Sequence, residues 1–371
     1  MSEYSLVNIV VLCIGLSQAT FAGIMMLIKK NSKLPDRILT VWLFAIALQM
    51  LISLFNTKFS ITAFPISPFV YAPLMYIYIR SLIDEKPKLR SYYLAYILPA
   101  IAIFVLAIVY RNKPILIFDE YLMNDPYRGV RFAYAILLMI SIFTYSIMTF
   151  ISLNRHRKKI KDLFSYTSQK VTLGWALFVS ISFFVIYIGL FAIGFTRVFV
   201  QNFNFDPLLL GNITLVFYSF AFSIFGYQQD LIYPPEPVVV KPHYVRSGLR
   251  TSSIEKLKES LINLMEKDHL YQDPELSILD VARKLKVPRH HVTQILNEKM
   301  GKNFYTFINE YRIQDAKARL KDPTNDNLTV LAIGYDAGFN SKSSFNTLFK
   351  KFVGMTPSEY RALGPDHGKT K

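Results

Sequence analysis

Hydrophobic and polar positions give this chain two textures, which change at Tyr227. Before that point seven runs contain no Asp, Glu, Lys or Arg: Leu6–Ile28, Ile38–Phe55, Ile61–Ile79, Tyr92–Tyr110, Phe132–Leu153, Val171–Ile193 and Leu208–Tyr227. They are 18 to 23 residues long, enough to cross ~30 Å of hydrocarbon at ~1.5 Å per residue. A buried helix of a water-soluble protein seldom runs so far without a charge. The pattern therefore predicts seven transmembrane helices. The weakest is Ile61–Ile79, where Pro65, Pro68 and Pro73 delay the start or kink the helix.

After Tyr227 the runs stop. Pro234, Pro235, Pro237 and Pro242 mark an extended linker, assigned to residues 231–252. Helical punctuation follows. Ser252 with Glu255 reads as a capping box opening an amphipathic helix with Ile254, Leu257, Leu261 and Leu264 on one stripe. Ser277 with Asp280 caps a second helix, which Lys286-Val287-Pro288 breaks. The helix after Pro288 turns Val292, Ile295 and Leu296 inward and ends at Gly301. A long helix from about Asn303 to Leu320 buries Phe304, Phe307, Ile308, Tyr311 and Leu320.

The pattern then repeats. Val281–Leu296 resembles Ile333–Phe349, with Val292, Ile295 and Leu296 answered by Phe345, Leu348 and Phe349. Each copy is a short helix, a turn and a second helix with a polar face, the helix-turn-helix shape that sets one helix in a DNA major groove. Two such units joined by one helix present two reading helices about one duplex turn (~34 Å) apart from a single chain. Gly338 and Gly354 fall at helix ends that favour positive φ, and Thr356-Pro357 with Glu359 is a capping box with proline at the first helical position.

Ala282, Leu285, Gly301, Phe304, Arg312, Ala316, Leu320, Ile333, Gly338, Phe339, Phe345, Phe349, Lys350, Gly354, Thr356, Pro357, Tyr360 and Arg361 together resemble the AraC/XylS transcription regulators. The resemblance covers roughly Ile254–Arg361 and implies sequence-specific binding of double-stranded promoter DNA. By that resemblance His290, Thr293 and Gln294 fall on base-facing positions. In the second unit Ser343, Asn346 and Thr347 are the side chains placed to meet bases, Asn and Gln matching adenine edges. Arg283, Lys284, Lys286, Arg289, Lys302, Lys342, Lys350, Lys351 and Arg361 are candidate phosphate contacts, which position without reading sequence. Two departures stand out: Gly334 replaces a customary alanine at a cost of up to ~1 kcal/mol of helix propensity, and Val287-Pro288 replaces a customary serine before the first reading helix.

Charge refines the picture. The net charge is +16, yet from Ile254 to Lys371 there are 19 basic against 15 acidic residues, so most of the excess belongs to the apolar half. There it alternates, with fourteen Lys and Arg in the odd-numbered loops against six in the even-numbered ones. The positive-inside rule puts the amino terminus outside and the tail in the cytoplasm, in a multi-pass protein of the inner (cytoplasmic) membrane. The start, MSEYS, lacks a basic n-region, so the first run is expected to stay as a span.

Cys13 is the single cysteine, which excludes a disulfide within the chain. No HExxH, P-loop or cysteine cluster is present, and adjacent His290 and His291 are expected to point apart, poorly placed for one metal. These features imply no cofactor, no metal and no enzyme. Gly15, Ala19 and Gly23 form a small-residue stripe suited to packing within the monomer or to a dimer contact. Asn8, Gln18, Gln49 and Asn212 are polar positions inside the runs.

The expected fold is all-α. It comprises a seven-span domain over residues 1–230, the 231–252 linker, a DNA-binding domain over 253–363 and a flexible tail over 364–371. The leading function is a membrane-bound transcription regulator whose spans sense a signal or anchor the protein. The alternative is a transporter or membrane enzyme with a regulatory helix-turn-helix tail, against which the lack of charge within the runs counts. Its partners would be promoter DNA and the lipid bilayer. RNA polymerase contact and a homodimer stay open, and no signal is identified.

Overall fold

The computed structural model describes residues 3–59, 69–84, 128–199, 207–229 and 251–364, with isolated positions at 87–88, 93, 96, 98–99, 101–102 and 232. The named elements among these residues are all helices, and the chain divides into two compact units, Met1–Asn154 with Leu173–Pro235, and Arg155–Thr172 with Glu236–Lys371.

The first unit contains α1 (Glu3–Leu27), α2 (Leu34–Phe59), α3 (Tyr71–Ile83), α4 (Arg128–Ile160), α5 (Gly174–Phe199) and α6 (Pro207–Ala221), the last extended by a π-helical turn over Phe222–Gly226. Five segments are long and apolar enough to cross a membrane: Leu6–Leu27, Leu34–Phe55, Ala135–Ile160, Gly174–Ile193 and Leu209–Gly226. The seven expected spans thus reduce to five among the described residues. The third run is described only from Phe69 on and the fourth lies almost wholly outside the described residues.

Side chains explain how these helices associate. α1 packs along α2 and α6, α2 meets α3, and α5 meets α6. A Cβ added at Gly15 would sit 2.9 Å from Val216 and 3.0 Å from Met50, and one at Gly23 would meet the Phe44 ring at 3.0 Å. The small-residue stripe is therefore used for packing inside the monomer. Trp42, Tyr78, Phe183, Tyr218 and Phe222 form an aromatic centre, with Trp42 and Phe222 centroids 4.4 Å apart. Across helices Gln18 Nε2 donates to Ser223 Oγ at 3.1 Å and Asn212 Nδ2 to Asn8 Oδ1 at 3.3 Å, while Gln49 Nε2 donates to Ser53 Oγ at 3.1 Å within α2. Such pairs satisfy groups that lipid cannot. Meanwhile Leu6, Phe21, Leu27, Val41, Ile136, Phe178 and Val185 face outward and exposed, the arrangement of helices whose solvent is apolar.

The second unit holds α7 (Thr251–Glu266), a 3₁₀ turn over Leu270–Gln272, α8 (Ile278–Leu285), α9 (Arg289–Gln294), α10 (Phe304–Lys321), α11 (Val330–Asp336), α12 (Lys342–Val353) and α13 (Pro357–Ala362). α7 is described from Thr251 on, and the expected cap at Ser252 lies outside the described side chains. The other helix starts follow their sequence signals. Ser277 and Asp280 form a reciprocal capping box, as do Thr356 and Glu359, while Asn303, Thr329 and Ser341 each accept a backbone N–H three residues on. Each satisfies one of the N–H groups a helix start leaves unpaired.

Residues 155–172, of which the hydrophobic pattern assigns 155–170 to a loop between two spans, pack within this second unit. The one isolated β-bridge among the described residues lies here, antiparallel between Phe164 and Ser277.

Candidate nucleic-acid interface

Two helix-turn-helix units flank α10 in the chain. In the first, α8 and α9 meet across Lys286, which takes a left-handed φ of 56° and closes α8. Val292, Ile295 and Leu296 are buried, at 0–1 % exposure, as are Val281, Ala282, Phe304 and Ile308. The reading helix is not uniform: after Gln294 it widens into a π-helical turn, Ile295–Lys299. In the second unit Phe345, Leu348 and Phe349 pack with Ile313, Ala316, Leu320, Ile333, Ala337 and Phe339. Both inward-facing triplets occupy the places their spacing requires, leaving the opposite faces polar.

Two glycines shape the second unit. Gly338 makes the turn between α11 and α12 at φ +94°, and a Cβ there would lie 2.5 Å from the Tyr271 carbonyl oxygen. At Gly334 the reason is proximity, since a Cβ would fall 2.6 Å from Cδ1 of Phe345. Gly334 thus gives up helix propensity so that the Phe345 ring can lie directly on α11.

The proposed base-readers differ in freedom. His290, Ser343 and Thr347 are exposed, whereas Thr293, Gln294 and Asn346 are half-buried. Thr293 Oγ1 donates back to the Arg289 carbonyl at 3.2 Å, and Gln294 Nε2 donates to Glu298 Oε2 at 3.0 Å. A base contact by Gln294 therefore requires it to exchange that partner. The rings of His290 and His291 do not point apart: they meet edge to face with centroids 4.3 Å apart. Partial burial and the neighbouring His290 hold His291 below the usual histidine range.

Among the candidate phosphate contacts, Lys284, Lys286, Lys342, Lys350 and Lys351 are exposed and form no ion pair among the described residues. Arg283 is exposed but pairs with Asp280 at 3.2 Å, Lys302 pairs with Glu310, and Arg289 is half-buried. Arg361 is engaged within the protein. Its Nη1 donates to the Leu328 carbonyl at 2.6 Å, and its Nη2 to those of Asn325 and Asp326 at 3.0 and 2.9 Å. The side chain clamps the loop between α10 and α11, which explains an arginine here without invoking phosphate.

Arg312 was not among the candidates, although it is the most constrained side chain of the domain. It is 1 % exposed. Its Nε donates to the Tyr271 carbonyl at 2.7 Å and Nη2 to the Asp273 carbonyl at 2.6 Å, while Nη1 and Nη2 reach Ser165 O and Oγ at 3.1 and 3.0 Å. Burial lowers the guanidinium to about 10, partly offset by Asp273, so it stays charged at neutral pH. A signal was present: Phe304, Ile308, Arg312, Ala316 and Leu320 recur every four residues, so the apolar stripe of α10 carries one charge that must find buried acceptors.

Comparison with known proteins agrees with this architecture. A family model described as "Helix-turn-helix domain" matches residues 281–363. The melibiose operon regulatory protein of Escherichia coli (strain K12) is 34% identical over 98 residues, covering 26% of this chain and 32% of that protein. An uncharacterized HTH-type transcriptional regulator of Staphylococcus aureus (strain COL) is 32% identical over 97 residues, covering 26% of this chain and 12% of its own length. The chain thus spans about a third or less of these curated relatives. No solved structure matches. The carboxyl-terminal region is an AraC-type helix-turn-helix domain.

Proposed function

We propose that this chain is a membrane-bound, sequence-specific DNA-binding transcription regulator. The observation that carries the proposal is the pairing, in one chain, of two capped helix-turn-helix units on a shared helix with five helices apolar enough to span a bilayer. The relatives, regulators in each case, support DNA as the partner. His290, Thr293, Gln294, Ser343, Asn346 and Thr347 read bases, and Lys284, Lys286, Lys342, Lys350 and Lys351 contact phosphates. The loop charges favour a cytoplasmic DNA-binding domain held to the inner membrane through the proline-rich 231–252 segment. The apolar half senses a signal that binds one of its states better than another.

The test uses the full chain in lipid nanodiscs and selection from a random-sequence duplex pool. Enrichment of one duplex, with competition by its scrambled version at least about a hundredfold weaker, supports the reading. Equal binding to all sequences refutes it.

A further inference from the structure

The loop that follows α4 is built into the DNA-binding domain. Lys161, Leu163 and Ser165 each make backbone hydrogen bonds to it: Tyr305 N–H donates to the Lys161 carbonyl at 2.9 Å, Ile278 N–H to the Leu163 carbonyl at 2.8 Å, and Ser165 N–H to the Leu276 carbonyl at 3.1 Å. Two of these donors lie in the first turns of α8 and α10, where an N–H has no partner within its own helix. The loop thus caps both. Ser165, 1 % exposed, adds side-chain bonds: its Oγ donates to Leu276 O at 2.7 Å and accepts from Arg312. Its carbonyl takes Asn309 Nδ2 at 2.9 Å as well as Arg312 Nη1. Leu163 and Phe164 are buried. Tyr166 lies near Glu275, Asp280 and Asp273.

Arg312 connects this contact to both reading units. Besides Ser165 it holds Tyr271 and Asp273 ahead of α8, and its Cζ lies 6.0 Å from the Phe339 ring centroid at the turn of the second unit. With the loop withdrawn, Arg312 would lose two of its four acceptor contacts while still buried, and two helix starts would lose their caps. The fixed relation between the two units depends on those groups.

The geometry of attachment gives the loop a second property. α4 runs unbroken from Arg128 to Ile160, and the very next residue, Lys161, is bonded to α10. The loop's return is braced by Arg157 Nε on the Thr172 carbonyl at 3.2 Å and His156 Nε2 against the Val171 carbonyl at 2.9 Å. On this route the end of α4 and the first residue bonded to α10 are neighbours in sequence. The other covalent route, residues 231–250, is proline-rich in sequence, and a polyproline conformation would give it a reach of ~60 Å at ~3.1 Å per residue.

We propose that Lys161–Ser165 is an intramolecular docking segment through which α4 and α5 control DNA binding, the docked state being the one that binds. The proposal rests on the regulator reading above and adds the element that transmits regulation. A motion of α4 or α5 that strains the segment shifts the domain towards the undocked, weakly binding state. Coupling of this kind is reciprocal: whatever factor docking adds to DNA affinity, DNA must add to docking.

The experiment uses the full chain in nanodiscs and the duplex selected by the wild type. Ser165→Ala should weaken that duplex about tenfold and speed exchange of the Ile278 and Tyr305 amides, with exchange in the Phe345–Phe349 core unchanged. A second variant locks the contact. Phe164→Cys with Ser277→Cys in a Cys13→Ser background faces two cysteines across the non-hydrogen-bonded antiparallel pair, where Cα atoms lie ~4.5 Å apart. The oxidised form should bind at least as tightly as the wild type and more tightly than its own reduced form. Saturating duplex should slow exchange at Ile278 and Tyr305 in the reduced form by the factor that the lock gains.

Equal affinity of oxidised and reduced forms overturns the proposal, even if Ser165→Ala unfolds the domain. So does exchange at Ile278 and Tyr305 that ignores DNA. If the wild type selects no duplex, the regulator reading falls and the proposal with it. A selected duplex whose binding ignores the lock removes the docking proposal alone.

Discussion

Replacing Gly334 by alanine sets two physical effects against each other. α11 is a seven-residue helix, and glycine within it forfeits up to ~1 kcal/mol relative to alanine. Propensity alone therefore predicts stabilisation. Packing predicts the reverse, because the added Cβ would lie 2.6, 2.9 and 2.9 Å from Cδ1, Cε1 and Cγ of Phe345. That ring is 1 % exposed, with the Phe339 and Phe349 ring centroids 5.0 and 5.7 Å away, so it has little room to retreat. Overpacking a core costs ~1–3 kcal/mol, and three contacts this short argue for the upper part of that range. After the propensity gain, a net loss of about 1–2 kcal/mol remains. For a domain of this size the melting midpoint should fall by about 5–15 °C. The measurement is a thermal series of hydrogen exchange on the full chain, read at the Phe345–Phe349 amides. Gly334→Ala combined with Phe345→Leu should recover part of the loss, giving a favourable coupling of at least about 1 kcal/mol in a double-mutant cycle. An unchanged or raised midpoint for the single variant would refute the packing explanation.

Gly338→Ala should cost more, about 3 kcal/mol or above by the same exchange series, because positive φ strain adds to a clash with the Tyr271 backbone. Arg361→Ala should lower the stability of the α10–α11 loop by about 1–3 kcal/mol while leaving the salt slope of DNA binding unchanged; a reduced slope would restore it as a phosphate contact. Lys351→Ala, by contrast, should weaken all sequences alike and reduce that slope by about 1, whereas Thr293→Ala with Gln294→Ala should relax preference at one half of the selected site without altering the slope. The Thr356 backbone N–H holds the Glu359 carboxyl below its ordinary range. Its contribution is therefore present above the unfolded carboxylate pKa and is lost as the pH falls through the lower folded value, so α13 amides should begin to exchange faster only in acid; loss of protection between pH 7 and 6 would contradict this.

What the sequence discloses depends on how far each interaction reaches along the chain. Helix starts are local, and Ser277, Asn303, Thr329, Ser341 and Thr356 sit where three-residue spacings alone would place a cap. The inward triplets are periodic, and both units bury them. Gly334 reads as a defect while only propensity is considered. Its purpose appears once Phe345, eleven residues on, is seen to occupy the missing Cβ.

The docked loop marks the limit of such reading. Ser165 and Arg312 are 147 residues apart, and the binding is mostly through backbone carbonyls, which every residue possesses. No side-chain pattern in residues 161–165 announces that Lys161 and Leu163 will cap helices in another part of the chain. Half of the pair was nonetheless visible. An arginine in the every-fourth-residue apolar stripe of α10 implies buried acceptors, since an unpaired charge in a core is too costly to persist. Sequence could therefore state that Arg312 has partners while leaving them unnamed, and the fold supplies one of them from the segment joining two apolar helices. Where a buried cation of a DNA-binding domain takes acceptors from a segment far from it in sequence, that segment is a candidate for the domain's control, and for Arg312 the segment contains Ser165.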